Sequence, residues 1–195
     1  ETGLTPVILA AEFGFSEVVK LLLEAGADPL IRASDGANAL RMAAQEGHQK
    51  AVELLLTAEC AGESQRVREI KNEALFMACQ KGHLEVVRTL IASGADPSAP
   101  NGPIRTTPLI IAVHGEFQEV IQELVESGVD LEAMSALGVT ALMVAAMGEM
   151  IPIVEQLIAA GADRGTVAPS GHTAADFAEW MELSPKMKEL VEVDG

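Results

Sequence analysis

The chain has 195 residues, about half of them hydrophobic, which excludes a disordered polymer and leaves room for one domain with a sizeable core. Its net charge of −16 excludes the basic footprint of a nucleic-acid binder and any attraction to an anionic membrane surface. Aromatic residues are only 3%, with no Tyr and one Trp, so the core must come from Ala, Leu and Val, which suits closely packed helices.

In chain order, "TPVILA" (5–10) predicts a short first helix, with Thr5 as cap and Pro6 in the first turn, where no N–H bond is needed. A second helix follows, with Val18, Val19, Leu21, Leu22 and Leu23 at helical spacing, expected to face the core. Gly26 ends it, since glycine takes the left-handed C-cap conformation without penalty. Asp28-Pro29 then leads into an extended loop, and Gly36 closes a turn.

The same sentence is written again. "NALRMA" (38–43) starts the next pair, with the turn Glu46-Gly47-His48 inside it. That pair lacks a terminal Gly: the chain reads "TAECAGESQRVREIKN" (57–72), with extra length and a cluster of Arg66, Arg68 and Lys71. A longer second helix or an irregular finger is expected there. "EALFMA" (73–78) and "LIASGADP" (90–97) form the third pair, and "TPLIIA" (107–112) and "LVESGVD" (124–130) the fourth. "TALMVA" (140–145) and "LIAAGAD" (157–163) form the fifth, with Pro152 tolerated in a first turn. In these last two pairs His114-Gly115-Glu116 and Met147-Gly148-Glu149 place the turn Gly one residue early. "TAADFA" (173–178) opens the sixth pair, whose final helix carries Lys186, Lys188, Glu189 and Glu192 and is expected to be a polar cap.

The Ala that ends each first block falls at 10, 43, 78, 112, 145 and 178, at intervals of 33, 35, 34, 33 and 33. The helix ends at Gly26, Glu59, Gly94, Gly128 and Gly161 repeat the first four of those intervals. Two anchors with one period establish six repeats, at approximately 3–35, 36–69, 70–102, 103–137, 138–170 and 171–195, expected to form a single domain.

Period, capping and helix order resemble the ankyrin repeat, whose unit of about 33 residues carries a Thr-Pro-Leu-His-x-Ala signature. The resemblance covers essentially the whole chain. It implies an all-α fold, a solenoid of stacked antiparallel helix pairs with projecting hairpin loops, in which neighbouring repeats supply each other's core. The signature His is replaced by Ile8, Arg41, Phe76, Ile110, Met143 and Asp176, so the inter-repeat hydrogen bonding usual at that position is expected to be absent.

Nothing in the pattern points to catalysis, and no cofactor or metal is expected. His48 and His83 follow turn glycines, where the family uses His structurally. No nucleophile–base spacing or phosphate loop is readable. Cys60 and Cys79 form no CxxC and read as two reduced thiols of an intracellular protein. The most apolar stretch, Leu137 to Met147, is too short to span a bilayer.

The resemblance implies a protein or peptide partner, bound on a concave face built from the fingers and the exposed ends of the first helices. In the first half that surface holds Glu12, Phe13, Gln45, Glu46, Glu69, Ile70 and Asn72, and reads as polar and mixed in charge. In the second half it collects Ile104, His114, Leu137, Val139, Met147, His172, Trp180 and Met181, the expected binding residues. Trp180 has a second reading, as a plug for the open end of the stack. From Thr106 to Asp163 there are nine acids and no Lys or Arg. An apolar floor with an acidic surround suits a partner bearing apolar anchors plus Lys or Arg. The chain is expected to act as a monomeric, cytoplasmic interaction module. Its alternatives are a regulatory domain of a larger enzyme, channel or regulator, and a secreted effector acting on host proteins if the full gene carries a signal peptide.

Overall fold

The structure, a computed structural model, describes residues 2–58 and 64–192. Among these residues it holds twelve helices and no strand, only an isolated pairing of Asn101 with Thr106. Contacts group the chain into an N-terminal unit, Glu1–Pro97, and a C-terminal unit, Ser98–Gly195.

The N-terminal unit contains α1 (Pro6–Glu12), α2 (Ser16–Glu24), α3 (Ala39–Gln45), α4 (Gln49–Thr57), α5 (Gln65–Lys81) and α6 (Leu84–Ala92). The C-terminal unit contains α7 (Pro108–His114), α8 (Gln118–Glu126), α9 (Ala141–Met147), α10 (Ile151–Ala159), α11 (Ala174–Trp180) and α12 (Pro185–Val191). In each unit the helices pair in sequence, and the first helices of successive pairs pack on each other, as α1 does on α3 and α9 on α11.

Caps set where the first helices begin. The hydroxyls of Thr5, Thr107, Thr140 and Thr173, and the Asn38 carboxamide oxygen, each accept the third backbone N–H of their helix at 2.9–3.4 Å. At only seven residues, α1, α3, α7, α9 and α11 are too short to persist alone. Packing holds them: Ala43, Ala44, Ala145 and Ala146 are fully buried, letting neighbouring backbones approach closely.

The long segment after α4 differs from expectation. The second helix of that pair is not extended; it stops at Thr57 after nine residues, like its fellows. The extra length instead joins the first helix of the next pair, making α5 seventeen residues long. Ser64 caps it at the Val67 N–H, 3.3 Å away, and no Gly or Pro interrupts it. Val67, Ile70 and Ala74 then recur at helical spacing and are buried, so burial favours helix over finger. Glu69, Ile70 and Asn72 are therefore helical, not finger residues. The cationic cluster ties this helix down: Arg66 donates to the Leu30 carbonyl, and Lys71 Nζ donates to the Ser93 carbonyl at 2.8 Å, at the C-terminal end of α6. Arg32 grips Glu73 with both guanidinium nitrogens, at 2.7 and 3.1 Å. Glu59 and Cys60 lie outside the described residues.

The signature position survives the loss of its His. Ile8, Phe76, Ile110 and Met143 are buried there as apolar packing, and Asp176 completes a capping box with Thr173. Links between repeats come from the turns instead. His48 shares a hydrogen bond with the Glu12 carbonyl and His83 with the Gln45 carbonyl, both at 3.0 Å.

The shift of the turn glycine in the fourth and fifth pairs, and its absence from the sixth, have a backbone consequence. In the first three turns Gly14, Gly47 and Gly82 take φ of 69°, 76° and 75°, whereas in the last three Glu116, Glu149 and Glu182 take φ of 58°, 53° and 55°. A non-glycine residue in that region carries steric strain. The core stripe expected in the first pair also differs: in α2 only Val19 is buried, while Val18 and Leu21 are 45% and 63% exposed.

Candidate partner-binding groove

Two hairpins and two first helices of the C-terminal unit build the groove. The hairpin before α7 is closed by reciprocal backbone bonds between Asn101 and Thr106, at 2.9 and 3.0 Å, and turns through Gly102 and Arg105. The next hairpin is held by Ser135 and Val139 and turns through Gly138 at φ 74°. A 2.7 Å bond from Ala136 N–H to the Ile104 carbonyl joins the two. Gly138 lies so close to the Pro169 ring of the third hairpin that a Cβ would sit 2.6 Å from its Cδ. Only glycine fits both that approach and that φ.

Between these hairpins and the adjacent helices α7 and α9 lies an open groove of about 280 Å³. Ile110, Ile111 and Val144 come from the helices, and Ile104, Leu137 and Val139 from the hairpins. Thr106, Ser135 and His114 add polar groups, and no carboxylate lines it. Leu137 is 70% exposed, with Ile104 also exposed, so the walls offer apolar surface to solvent.

The structure thus brings together Ile104, His114, Leu137 and Val139. The other four expected residues lie elsewhere in the same unit. Met147 and Trp180 end α9 and α11 as His114 ends α7, and Met181 follows Trp180. Trp180 is 78% exposed and does not plug the stack. His172 sits in the third hairpin, its ring 5.7 Å from Phe177. Sequence reasoning missed Ile111 and Val144. In the structure the residue after the signature position, Leu9, Met42, Met77, Ile111, Val144 or Phe177, is never fully buried, a regularity that the sequence alone does not display.

Carboxylates of the same unit lie outside the groove's lining. Glu116 and Glu149 occupy the turns after α7 and α9, and Glu119, Glu123 and Glu126 lie on α8. Several acids of the unit are engaged in structure, and hydrogen bonds hold two of them below the ordinary carboxylate range. Glu149 accepts hydrogen bonds from the Ser184 hydroxyl and backbone N–H, which hold its carboxyl below the ordinary range. Asp176 is held low by the Thr173 backbone N–H and then its hydroxyl. Cys79 is buried, and burial pushes its thiol up, so it stays protonated. Among the described residues no group of three His, Cys, Asp or Glu could hold a metal ion, and no helix is long and apolar enough to cross a membrane.

The first-half surface is not simply polar. Phe13 and Phe15 are both exposed in the N-terminal unit, with ring centroids 5.9 Å apart.

Capped short helices, turn-borne links between repeats and an open apolar groove define a helical-repeat scaffold. The family described as "Ankyrin repeats (3 copies)" matches residues 7–101 and 75–168, and the chain belongs to the ankyrin-repeat family, a protein–protein interaction fold. The chain is 34% identical over 132 residues to the ankyrin repeat and KH domain-containing protein mask-1 of Caenorhabditis elegans, covering 65% of this chain and 5% of that protein. It is 34% identical over 131 residues to the transient receptor potential cation channel subfamily A member 1 homolog of the same organism, covering 67% of this chain and 11% of that one. It is 30% identical over 141 residues to the B-cell lymphoma 3 protein homolog of Mus musculus, covering 70% and 31%. The chain therefore spans less than a third of the length of these relatives. Among solved structures, the ankyrin repeat domain of Bcl-3, described as a unique member of the IkappaB protein family, superposes with a TM-score of 0.86 at 27% identity, covering 97% of this chain and 82% of that one.

Proposed function

We propose that the chain is a protein-interaction module whose groove between Ile104, Leu137 and Val139 receives apolar anchors of a partner that also carries Lys or Arg. The observation that carries this reading is the groove itself: exposed apolar walls in a unit with four cations, Arg105, Arg164, Lys186 and Lys188, against fifteen acids. Apolar anchors would supply affinity, and the acidic field would steer a basic segment and orient it. Met147, Trp180 and Met181 extend the apolar surface along the ends of α9 and α11. The module acts by binding rather than catalysis, as a monomer, and in the cytoplasm, where the buried free thiol of Cys79 is at home.

The test is selection from a displayed peptide library on the wild-type chain and on an Ile104→Ala, Leu137→Ala variant. Enriched peptides should combine Leu, Ile or Phe with Lys or Arg. Their affinity should fall at least about tenfold on the double variant and weaken as salt rises. Equal binding by both chains would remove the groove from the reading.

A second reading is favoured by the small share of each relative that the chain spans. The module then serves as the regulatory, partner-sensing part of a larger protein, a channel or a regulator among them. Binding at the same groove that leaves a linked activity unchanged would separate the two.

A further inference from the structure

Asn101 and Gly102 are the only Asn-Gly pair in the sequence, and they open the hairpin that carries Ile104. In the other three hairpins the turn glycine is tied down. The N–H groups of Gly36, Gly138 and Gly171 donate across the turn to the Ala33, Ser135 and Ala168 carbonyls, at 2.8–2.9 Å. The Gly102 N–H donates to nothing among the described residues, and the Asn101 carboxamide has no hydrogen-bond partner among them either. The space around Gly102 is open: nothing lies within 4 Å of where a Cβ would stand. A backbone nitrogen and the side-chain carbonyl carbon it can attack are thus neighbours in the chain and both unengaged. Glycine brings that nitrogen with no side chain in the way.

We infer that Asn101-Gly102 is a self-modifying site, which closes to a cyclic imide, reopens as isoaspartate and thereby unlocks its hairpin. The Gly102 nitrogen gives up its proton and bonds to Asn101 Cγ. The Cγ–Nδ2 bond breaks, and the amide leaves as ammonia. Water then opens the five-membered imide. Opening at the main-chain carbonyl leaves a backbone routed through Cβ and Cγ; opening at Cγ gives ordinary aspartate. The sum is one water consumed and one ammonia released, with no change of oxidation state. Attack requires Asn101 to turn away from Thr106. The reciprocal pair at 2.9 and 3.0 Å resists this, but residues 102–105 at the tip are all exposed, so the opening is local. In the isoaspartate product the carbonyl that accepts the Thr106 N–H has become a free carboxylate, and one extra carbon lengthens the chain. The pair with Thr106 loses its register. Ile104, whose carbonyl accepts the Ala136 N–H at 2.7 Å, loses its mooring to the next hairpin.

The experiment ages the chain at mildly alkaline pH and body temperature, beside a synthetic peptide of residues 98–104. Conversion is read by peptide mapping, by released ammonia, and by methyl transfer from S-adenosylmethionine with an isoaspartyl methyltransferase as probe. The folded chain should convert residue 101 at no less than about a tenth of the peptide's rate, because the hairpin opens locally. Asp35-Gly36, whose glycine N–H is engaged, should lag its own peptide by more than that. Amide exchange at Thr106 and Ala136 should quicken at least about tenfold in the isoaspartate fraction. It should stay unchanged in freshly purified Asn101→Asp, which adds the charge without the extra carbon. Asn101→Gln, which cannot close the five-membered ring, should age without change. Slower conversion of residue 101 than that, or isoaspartate that leaves Thr106 exchanging as before, overturns the inference. Loss of groove-selected peptides by the aged chain rests in addition on the binding role proposed for Ile104. Their retention after conversion and faster exchange would count against that role, not against the modification.

Discussion

Asn38 is fully buried, and its side chain does half of a cap's work. Its oxygen accepts the Arg41 N–H at 2.9 Å, while its Nδ2 has no partner among the described residues. The four threonines at equivalent starts of first helices leave no such amide behind. Asn38→Thr is therefore expected to stabilise the fold by about 1 kcal/mol, read as a higher midpoint in denaturant. Glu116 holds another local cost, at φ 58° where earlier turns place glycine. Glu116→Gly should relieve about 1–2 kcal/mol of left-handed strain and forfeit about 0.5–1 kcal/mol to the freer unfolded chain, a small net gain in the same assay. Its misplaced glycine was legible, because His114-Gly115-Glu116 breaks the spacing of Glu46-Gly47-His48. Asn38 was not: its amide is orphaned by what packs around it, and no local pattern records that.

At the scale of elements, α5 offers the sharpest test of how the sequence is read. A finger residue at position 70 would be cheap to truncate. A buried helical Ile70 should cost about 2–4 kcal/mol on Ile70→Ala, read by equilibrium unfolding. The caps at Thr5, Thr107, Thr140 and Thr173 were readable because Thr precedes an apolar block with Pro or Ala at the first position. The extension of α5 was not, since its evidence is negative: seventeen residues without a breaker. Period alone assigns those residues to a loop. The last two helices answer to pH. Glu149 reaches from the turn after α9 to Ser184, the cap of α12, and Asp176 closes the cap of α11. Both carboxyls are held below their ordinary values, so their contribution is present above the unfolded carboxylate pKa and is lost as pH falls through the lowered one. Trp180, ending α11, should report a loosening there at acid pH, and Glu149→Gln with Asp176→Asn should flatten that response.

For the molecule as a whole, charge is the distributed property. The C-terminal unit carries fifteen acids and four cations, one of which, Lys186, pairs with Glu155 at 2.9 Å. Such a surface repels itself, and the repulsion is screened within about 10 Å at 0.1 M salt. Raising sodium chloride from 10 to about 150 mM should therefore lift the thermal midpoint by a few degrees. A midpoint that falls would show that attractive pairs dominate instead. The groove was half legible at this scale. Leu137 and Val139 flank the turn Gly138, and Ile104 holds Leu137's place one repeat earlier, so register placed them on the exposed side. Ile111 and Val144 sit in mostly apolar helices seven residues long, too short for periodicity to say which face meets water.

The buried thiol of Cys79 turns the N-terminal unit into its own clock. A protonated, enclosed sulfur reacts with an alkylating reagent only during the moments when the helices around it part. In a Cys60→Ser background, the rate of that single modification counts those moments directly. A partner that steadies the unit would announce itself as a slower tick, with no label added to any binding surface.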